Sequence, residues 1–272
     1  MTFSKKTISF SFTLFFCVTL SQYSLLAKES SSSLYGLIFC DTLSCDIKPS
    51  TTADVTRMKA TISEISAITG LHEMTTVLDG ASYSPFSLHQ WILSTQPTVN
   101  DVVFCYFGCH GFRTVNQQTP WPRIFFPLQK ASLDGNGILN AIVRWKPRLA
   151  IIIFECCNSV IWHRIKGKIP FSTSSLSPIG ITKLFNEQHG IAVACSASPG
   201  ERAFGIPERH DFPSGGIFTT SFLTLLSDES SLSHPSWGSL FERTSLMCQS
   251  TSYRLANTLQ TPYISVITSS SK

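Results

Sequence analysis

Charge is what this sequence is short of. Only 14% of its 272 residues are Asp, Glu, Lys or Arg, against roughly a quarter in an ordinary globular chain. With 43% hydrophobic residues, such a chain collapses onto a core instead of being held open by self-repulsion. No run of Lys and Arg is dense enough to follow a phosphate backbone, and basic residues do not alternate with aromatic ones. The composition therefore argues against a nucleic-acid partner. Zinc-ligand spacing is missing too, because Cys105 and Cys109 have no second His/Cys pair at a useful distance, and no metal site is expected. Nor is there an EF-hand ligand pattern for calcium.

A long unbroken apolar run is also lacking at the N-terminus. The stretch from Ile8 to Leu20 is interrupted by Ser and Thr and is too short and polar for a stable membrane span. It follows Lys5 and Lys6 and precedes the small residue Ala27, the order of a cleaved secretory signal. Residues 1–27 are thus expected to direct export, to a periplasm or to the outside, and to be removed. Two lysines leave with them, so 19 basic residues would face 17 acidic ones.

Nine cysteines are present, and Cys17 lies in the expected signal. In an exported chain the remaining even number invites disulfides. They are spread, however, as Cys40, Cys45, Cys105, Cys109, Cys156, Cys157, Cys195 and Cys248, without the density of a small stapled domain. Several sit in apolar runs, where Cys serves as a small core residue.

Beyond the Ser30–Ser33 tract, strand and helix patterns alternate. Strands are predicted at Leu34–Cys40, Met74–Leu78, Val102–Phe107, Leu149–Phe154 and Ile191–Cys195, with an extended tail at Tyr263–Ile267. Helices are predicted at Ala53–Ile68, Ser87–Leu93, Ile138–Trp145, Ile181–Phe185, Ile217–Leu226 and Leu240–Leu246. Thr119–Pro127, rich in Pro, reads as a loop. Leu149–Phe154 is apolar without alternation, the mark of a strand buried on both faces. The alternation implies an α/β fold with a mostly parallel central sheet and helices on both faces, in which chemistry gathers beyond the strand C-termini.

Two such loops carry reactive residues. Phe107-Gly-Cys-His110-Gly111 follows one buried strand and Glu155-Cys-Cys157-Asn158-Ser159 follows another. Parallel neighbouring strands would set an imidazole near a thiol at one sheet edge. A thiolate attacks a carbonyl, a His moves protons, and a Gly beside the His leaves its N–H open to a developing oxyanion. Cys at a strand end can equally be a packing residue.

These segments resemble the caspase and metacaspase superfamily over about residues 34–268. Asp101 to Gly111 is similar to the family's strand ending in His-Gly. Lys146 to Ser159 is similar to the metacaspase strand ending in Asp-x-Cys-His-Ser, which makes Cys157 the nucleophile and Cys156 its spacer. Ala53-Asp54-Val-Thr-Arg-Met58, Ala192 to Ala203 and Gly216-Ile-Phe-Thr219 follow in the family's order. The resemblance implies a caspase-like three-layer sandwich and a cysteine endopeptidase acting on proteins or peptides. His110 and Cys157 would be its catalytic pair, with the N–H groups of Gly111 and Cys157 as oxyanion donors. Asp54 and Glu155 would line the pocket for Arg or Lys before the cut. It implies no cofactor beyond the calcium that some metacaspases use.

The match has departures. Asn158 stands where metacaspases have His, Val160 where Gly is common, and Cys109 before the His. The same strand ends resemble the exported legumain-like peptidases, which cut after Asn. Lost activity, leaving a binding module of the same fold, is another expectation, and a disulfide-stapled envelope protein a third. Cys109 or Cys156 forming a disulfide with Cys157 would gate such an enzyme. The segment Arg164–Ser177, with Lys166 and Lys168, is a candidate self-cleavage loop or an ordinary surface loop.

Overall fold

The apolar runs without polar alternation are the inner strands of a six-stranded sheet. The computed structural model describes residues 32–159, 175–206 and 215–270. The expected signal segment 1–27 and most of Arg164–Ser177 lie outside the described residues. In chain order the elements are β1 (Ser33–Cys40), α1 (Lys48–Thr69), β2 (His72–Asp79), α2 (Pro85–Ser94), β3 (Val102–Gly108), β4 (Gly111–Phe112), β5 (Arg123–Phe126), β6 (Ala131–Asp134), α3 (Gly135–Val143), β7 (Leu149–Glu155), α4 (Pro178–Thr182), β8 (Gln188–Cys195), β9 (Gly205–Ile206), β10 (Gly215–Gly216), α5 (Ile217–Ser230), α6 (Trp237–Ala256) and β11 (Tyr263–Ser270).

The large sheet runs β11-β8-β7-β3-β1-β2. All its pairs are parallel except β11 with β8, so the chain is α/β with a mostly parallel central sheet. Parallel neighbours need long crossovers, which is why helices separate most of the strands.

Side chains alternate across the inner strands with a period of two. Ile38, Phe104, Tyr106, Ile151, Ile153 and Ala194 join one hydrophobic cluster with residues of α1, α5 and α6. Phe39, Cys105, Phe107, Ile152, Phe154 and Cys195 join another with residues of α2, α3 and β5. Every residue of β3 and β7 is buried, and the lack of polar alternation in their sequences follows directly.

Local signals set the ends. Pro occupies the first turn of α1, and Gly70 closes that helix at φ 72° with its N–H donated to Ser66 O, the left-handed cap that Gly adopts without a steric penalty. The Ser236 side chain caps α6 by accepting from Ser239 N–H.

Three elements differ from the sequence expectation. Helix α6 spans twenty residues, far beyond Leu240–Leu246. Its inner face carries Thr244, Ser245, Thr251 and Ser252; Thr244 and Ser252 donate to the helix's own carbonyls, so they pack as small neutral residues that apolar periodicity overlooks. Ile181–Phe185 divides between α4 and a π-type turn, Lys183–Glu187. Thr119–Pro127 contains β5, the centre of a small antiparallel sheet β4-β5-β6, whose strands are too short to show an alternation.

Candidate active site

Strand register brings the two reactive loops together. Gly108 pairs with Glu155 at the ends of β3 and β7, and the ladder continues one step with Cys109 N–H donating to Glu155 O. His110 and Cys157 follow from adjacent parallel strands at the C-terminal edge of the sheet, and both line one cleft of about 50 Å³ with Asp54, Glu155, Phe204 and Gly216. The structure thus places the proposed catalytic and substrate residues around a single opening.

His110 is buried, and its Nε2 lies 3.2 Å from Asp46 Oδ1. Its carbonyl accepts from Phe125 N–H of β5, so the small sheet fixes the backbone that carries the ring. Asp46, half-exposed, comes from the loop after β1. The sequence reading missed it, although an acidic residue just beyond a parallel strand's C-terminus is the signal that could have found it.

The Cys157 sulfur is 3.5 Å from Ala203 O. Burial, reinforced by the Glu155 charge, pushes its thiol up to about 11 against the lowering effects of Ala203 and Arg202. At neutral pH the resting group is a thiol rather than a thiolate. Among the described residues nothing accepts from Cys157 N–H. Gly111 faces Ile124 across β4 and β5, and the bond from Phe125 N–H to His110 O makes that a non-hydrogen-bonded pair. Gly111 N–H therefore points away from β5. A Cβ at Gly111 would fall 2.4 Å from Cys157 O, so only Gly allows the two loops to approach this closely.

The acidic side of the cleft is built in two tiers. Asp54, on α1, is almost fully buried and its oxygens are engaged: Oδ1 with Arg57, Oδ2 by Gly216 N–H at 2.9 Å and Tyr106 O–H at 3.0 Å. Burial raises its pKa, opposed chiefly by Arg57. Glu155 is also buried, and its Oε2 accepts from Thr219 N–H and Oγ1–H, both at 2.7 Å. Its Oε1 is buried and makes no hydrogen bond of normal length, although the Ser196 hydroxyl lies near enough to the carboxyl to lower its pKa somewhat. Burial, then the neighbouring Asp54 charge, lifts the Glu155 carboxyl to about 7. Gly216 lies directly against it, since a Cβ there would sit 2.3 Å from Oε2. Arg57 pairs with one of the two carboxylates, Asp54, and among the described residues no basic side chain pairs with the other.

Asn158 is a hub. Fully buried, it donates Nδ2–H to Pro120 O and Ala197 O and accepts from Arg113 on Oδ1. Its N–H donates to Glu201 O and its carbonyl accepts from Gly200 N–H. Arg113 in turn reaches Gln117 O and Thr119 O. This residue departs from the metacaspase pattern, yet here it ties the loop after β7 to two others, the β4–β5 loop and the β8–β9 loop. Asn158→Ala is expected to destabilise the fold by about 2 kcal/mol in urea unfolding, because it removes the donors of the Pro120 and Ala197 carbonyls and one acceptor of Arg113.

All the described cysteines are free thiols. Cys109, Cys156 and Cys195 belong to one hydrophobic cluster, and contacts with Cys109 and Cys195 raise the Cys156 thiol well above its usual value. These thiols contact one another, while Cys157 is turned to Ala203. No family model matches the chain, and no curated protein matches its sequence.

Proposed function

We propose that the chain is an exported cysteine endopeptidase with a caspase-like three-layer sandwich, cleaving proteins or peptides after Arg or Lys. The observation that carries the reading is the shared cleft, lined by His110, Cys157, Asp54 and Glu155, with Asp46 at the imidazole.

With Nε2–H donated to Asp46, Nδ1 of His110 holds the lone pair. It takes the proton of the neutral Cys157 thiol as the sulfur attacks the substrate carbonyl. The N–H groups of Gly111 and Cys157 serve the tetrahedral oxyanion. His110 then returns the proton to the departing amine, and water, deprotonated by the same imidazole, hydrolyses the thioester. A substrate guanidinium or ammonium meets Glu155 Oε1, with Asp54 strengthening the local negative field.

Peptides with Arg, Lys, Asp or Asn before the cut test this reading. Cleavage after Arg and Lys is expected; a preference for Asp overturns the basic pocket, and a preference for Asn favours legumain-like specificity. Asp46→Ala should lower kcat about ten- to a hundredfold with little change in KM, since it removes orientation of the imidazole and no substrate contact.

Binding without turnover is the second reading, and the raised Cys157 thiol on the Ala203 carbonyl favours it. Its signature is a wild type that binds Arg peptides without cleaving them, and a Cys157→Ala variant with the same affinity.

A further inference from the structure

A second hollow lies beside the catalytic cleft, on the other flank of the loop between β1 and α1. It measures about 220 Å³ and is lined chiefly by Leu43, Ser44, Cys45, Tyr83, Pro127 and Leu128. Leu43 is 45% exposed and Leu128 66%, and neither belongs to the two clusters that cover the sheet. The two openings share this loop, which presents Asp46 to His110 on one side and Leu43 to Cys45 to the hollow on the other.

The loop is braced. Asp41 accepts from the N–H groups of Leu43 and Ser44 and from the Ser44 hydroxyl, while its carbonyl accepts from Thr51 Oγ1 at 2.8 Å. Thr42 Oγ1 accepts from Gly80 N–H, and Ser44 O accepts from Ile47 and Lys48 N–H at the start of α1. A wall held this way keeps its shape when a ligand arrives, so little ordering entropy opposes binding.

We propose that this hollow receives an apolar side chain of the substrate segment that follows the scissile bond. The proposal rests on the peptidase reading. The imidazole that protonates the leaving amine must lie beside that amine, so the departing segment runs past His110. Asp46 stands against His110, and its chain neighbours Leu43 to Cys45 line the apolar hollow. The basic side chain before the cut is held on the opposite side by Glu155, which gives the substrate one direction across the site. Leu, Phe or Met just after the cut suits the Leu43, Tyr83, Pro127 and Leu128 lining, and a charged side chain there loses hydration, because the one carboxylate in the lining, Asp41, is already taken up by the Leu43 and Ser44 N–H groups and the Ser44 hydroxyl.

The test compares Arg-containing peptides that carry Leu, Phe, Asp or Lys at the two positions after the Arg, alongside an Arg anilide with no residue there. Wild type is expected to cleave the Leu and Phe peptides with kcat/KM about tenfold above the Asp and Lys peptides, the size of burying one apolar group. In Leu128→Asp, and separately in Leu43→Asp, that preference should disappear while anilide hydrolysis stays within about twofold of wild type. Both positions are partly solvent-exposed, and the anilide rate reports that each variant is folded. Equal rates for all four peptides in wild type, or a preference that survives both substitutions, would overturn the proposal with the anilide still hydrolysed. Absence of hydrolysis of every substrate would overturn the peptidase reading itself.

Discussion

Cys157→Ala is expected to abolish cleavage of Arg peptides, with kcat/KM falling by about ten thousandfold or more, and His110→Ala to fall nearly as far. The two losses should not add, because the proposed mechanism uses thiol and imidazole as one unit in the proton transfer that accompanies attack. The thiol sits near 11, so no standing thiolate can attack without its base. This separates the site from cysteine enzymes that hold a preformed thiolate-imidazolium pair. Neither substitution should harm the fold much. Cys157 makes one weak sulfur contact, and the carbonyl of residue 110 keeps its bond from Phe125 N–H whatever the side chain. Steady-state rates of the single and double variants, with circular dichroism as the folding control, check the prediction. A double variant slower by the product of the single losses would contradict it.

The second large effect is expected at Glu155, on specificity and on pH dependence together. Its carboxyl is lifted from 4.5 to about 7, first by burial and then by Asp54, while Oε1 makes no hydrogen bond of normal length. In the unfolded chain the group ionises near 4.5, so between that pH and about 7 the unfolded state releases a proton that the folded state keeps. Stability from this group is fully present below about 4.5 and declines as pH rises toward 7, by about 3 kcal/mol. Asp54, raised in the same direction, adds to the decline.

On the proposed basic specificity, an Arg or Lys side chain would favour the ionised form of Glu155, so its binding would draw the proton off. KM for Arg peptides should therefore fall as pH rises through about 7, and KM for Asn or Asp peptides should not follow. Glu155→Gln should flatten this dependence and cut kcat/KM for Arg peptides about a hundredfold, the scale of one charge-assisted hydrogen bond. It should also remove much of the pH-dependent loss of stability. Urea unfolding at pH 5 and pH 7 and KM profiles over the same range report the two consequences separately.

Much of this arrangement was legible before any coordinates, for identifiable reasons. β3 and β7 are buried on both faces, so their apolar runs stood out, and residues at their C-terminal ends had to share a sheet edge. His110 and Cys157 could be paired by that argument alone. What escaped notice was set by contacts remote in sequence. Asp46 gains its meaning from a ring 64 residues away. Arg57 is a local partner, three residues from Asp54 on the same helix; what sequence distance hid is the Gly216 N–H and the Tyr106 hydroxyl that complete the carboxylate's bonds. Asn158 looked like damage to a motif because its partners lie on two distant loops, one holding Pro120 and the other Ala197 and Glu201. The length of α6 was hidden because its inner face carries Ser and Thr, of which Thr244 and Ser252 donate their hydroxyls within the helix.

The central claim is that Cys157 is a nucleophile driven by His110 in a cleft that receives a basic side chain. Mass spectrometry after incubation with a peptide halomethyl ketone ending in Arg tests it most directly, because that reagent requires both recognition and attack. A single adduct on Cys157 is expected, reduced strongly in His110→Ala and in Glu155→Gln. An adduct confined to the exposed Cys45, or one on Cys157 that forms equally fast in His110→Ala, would contradict the account.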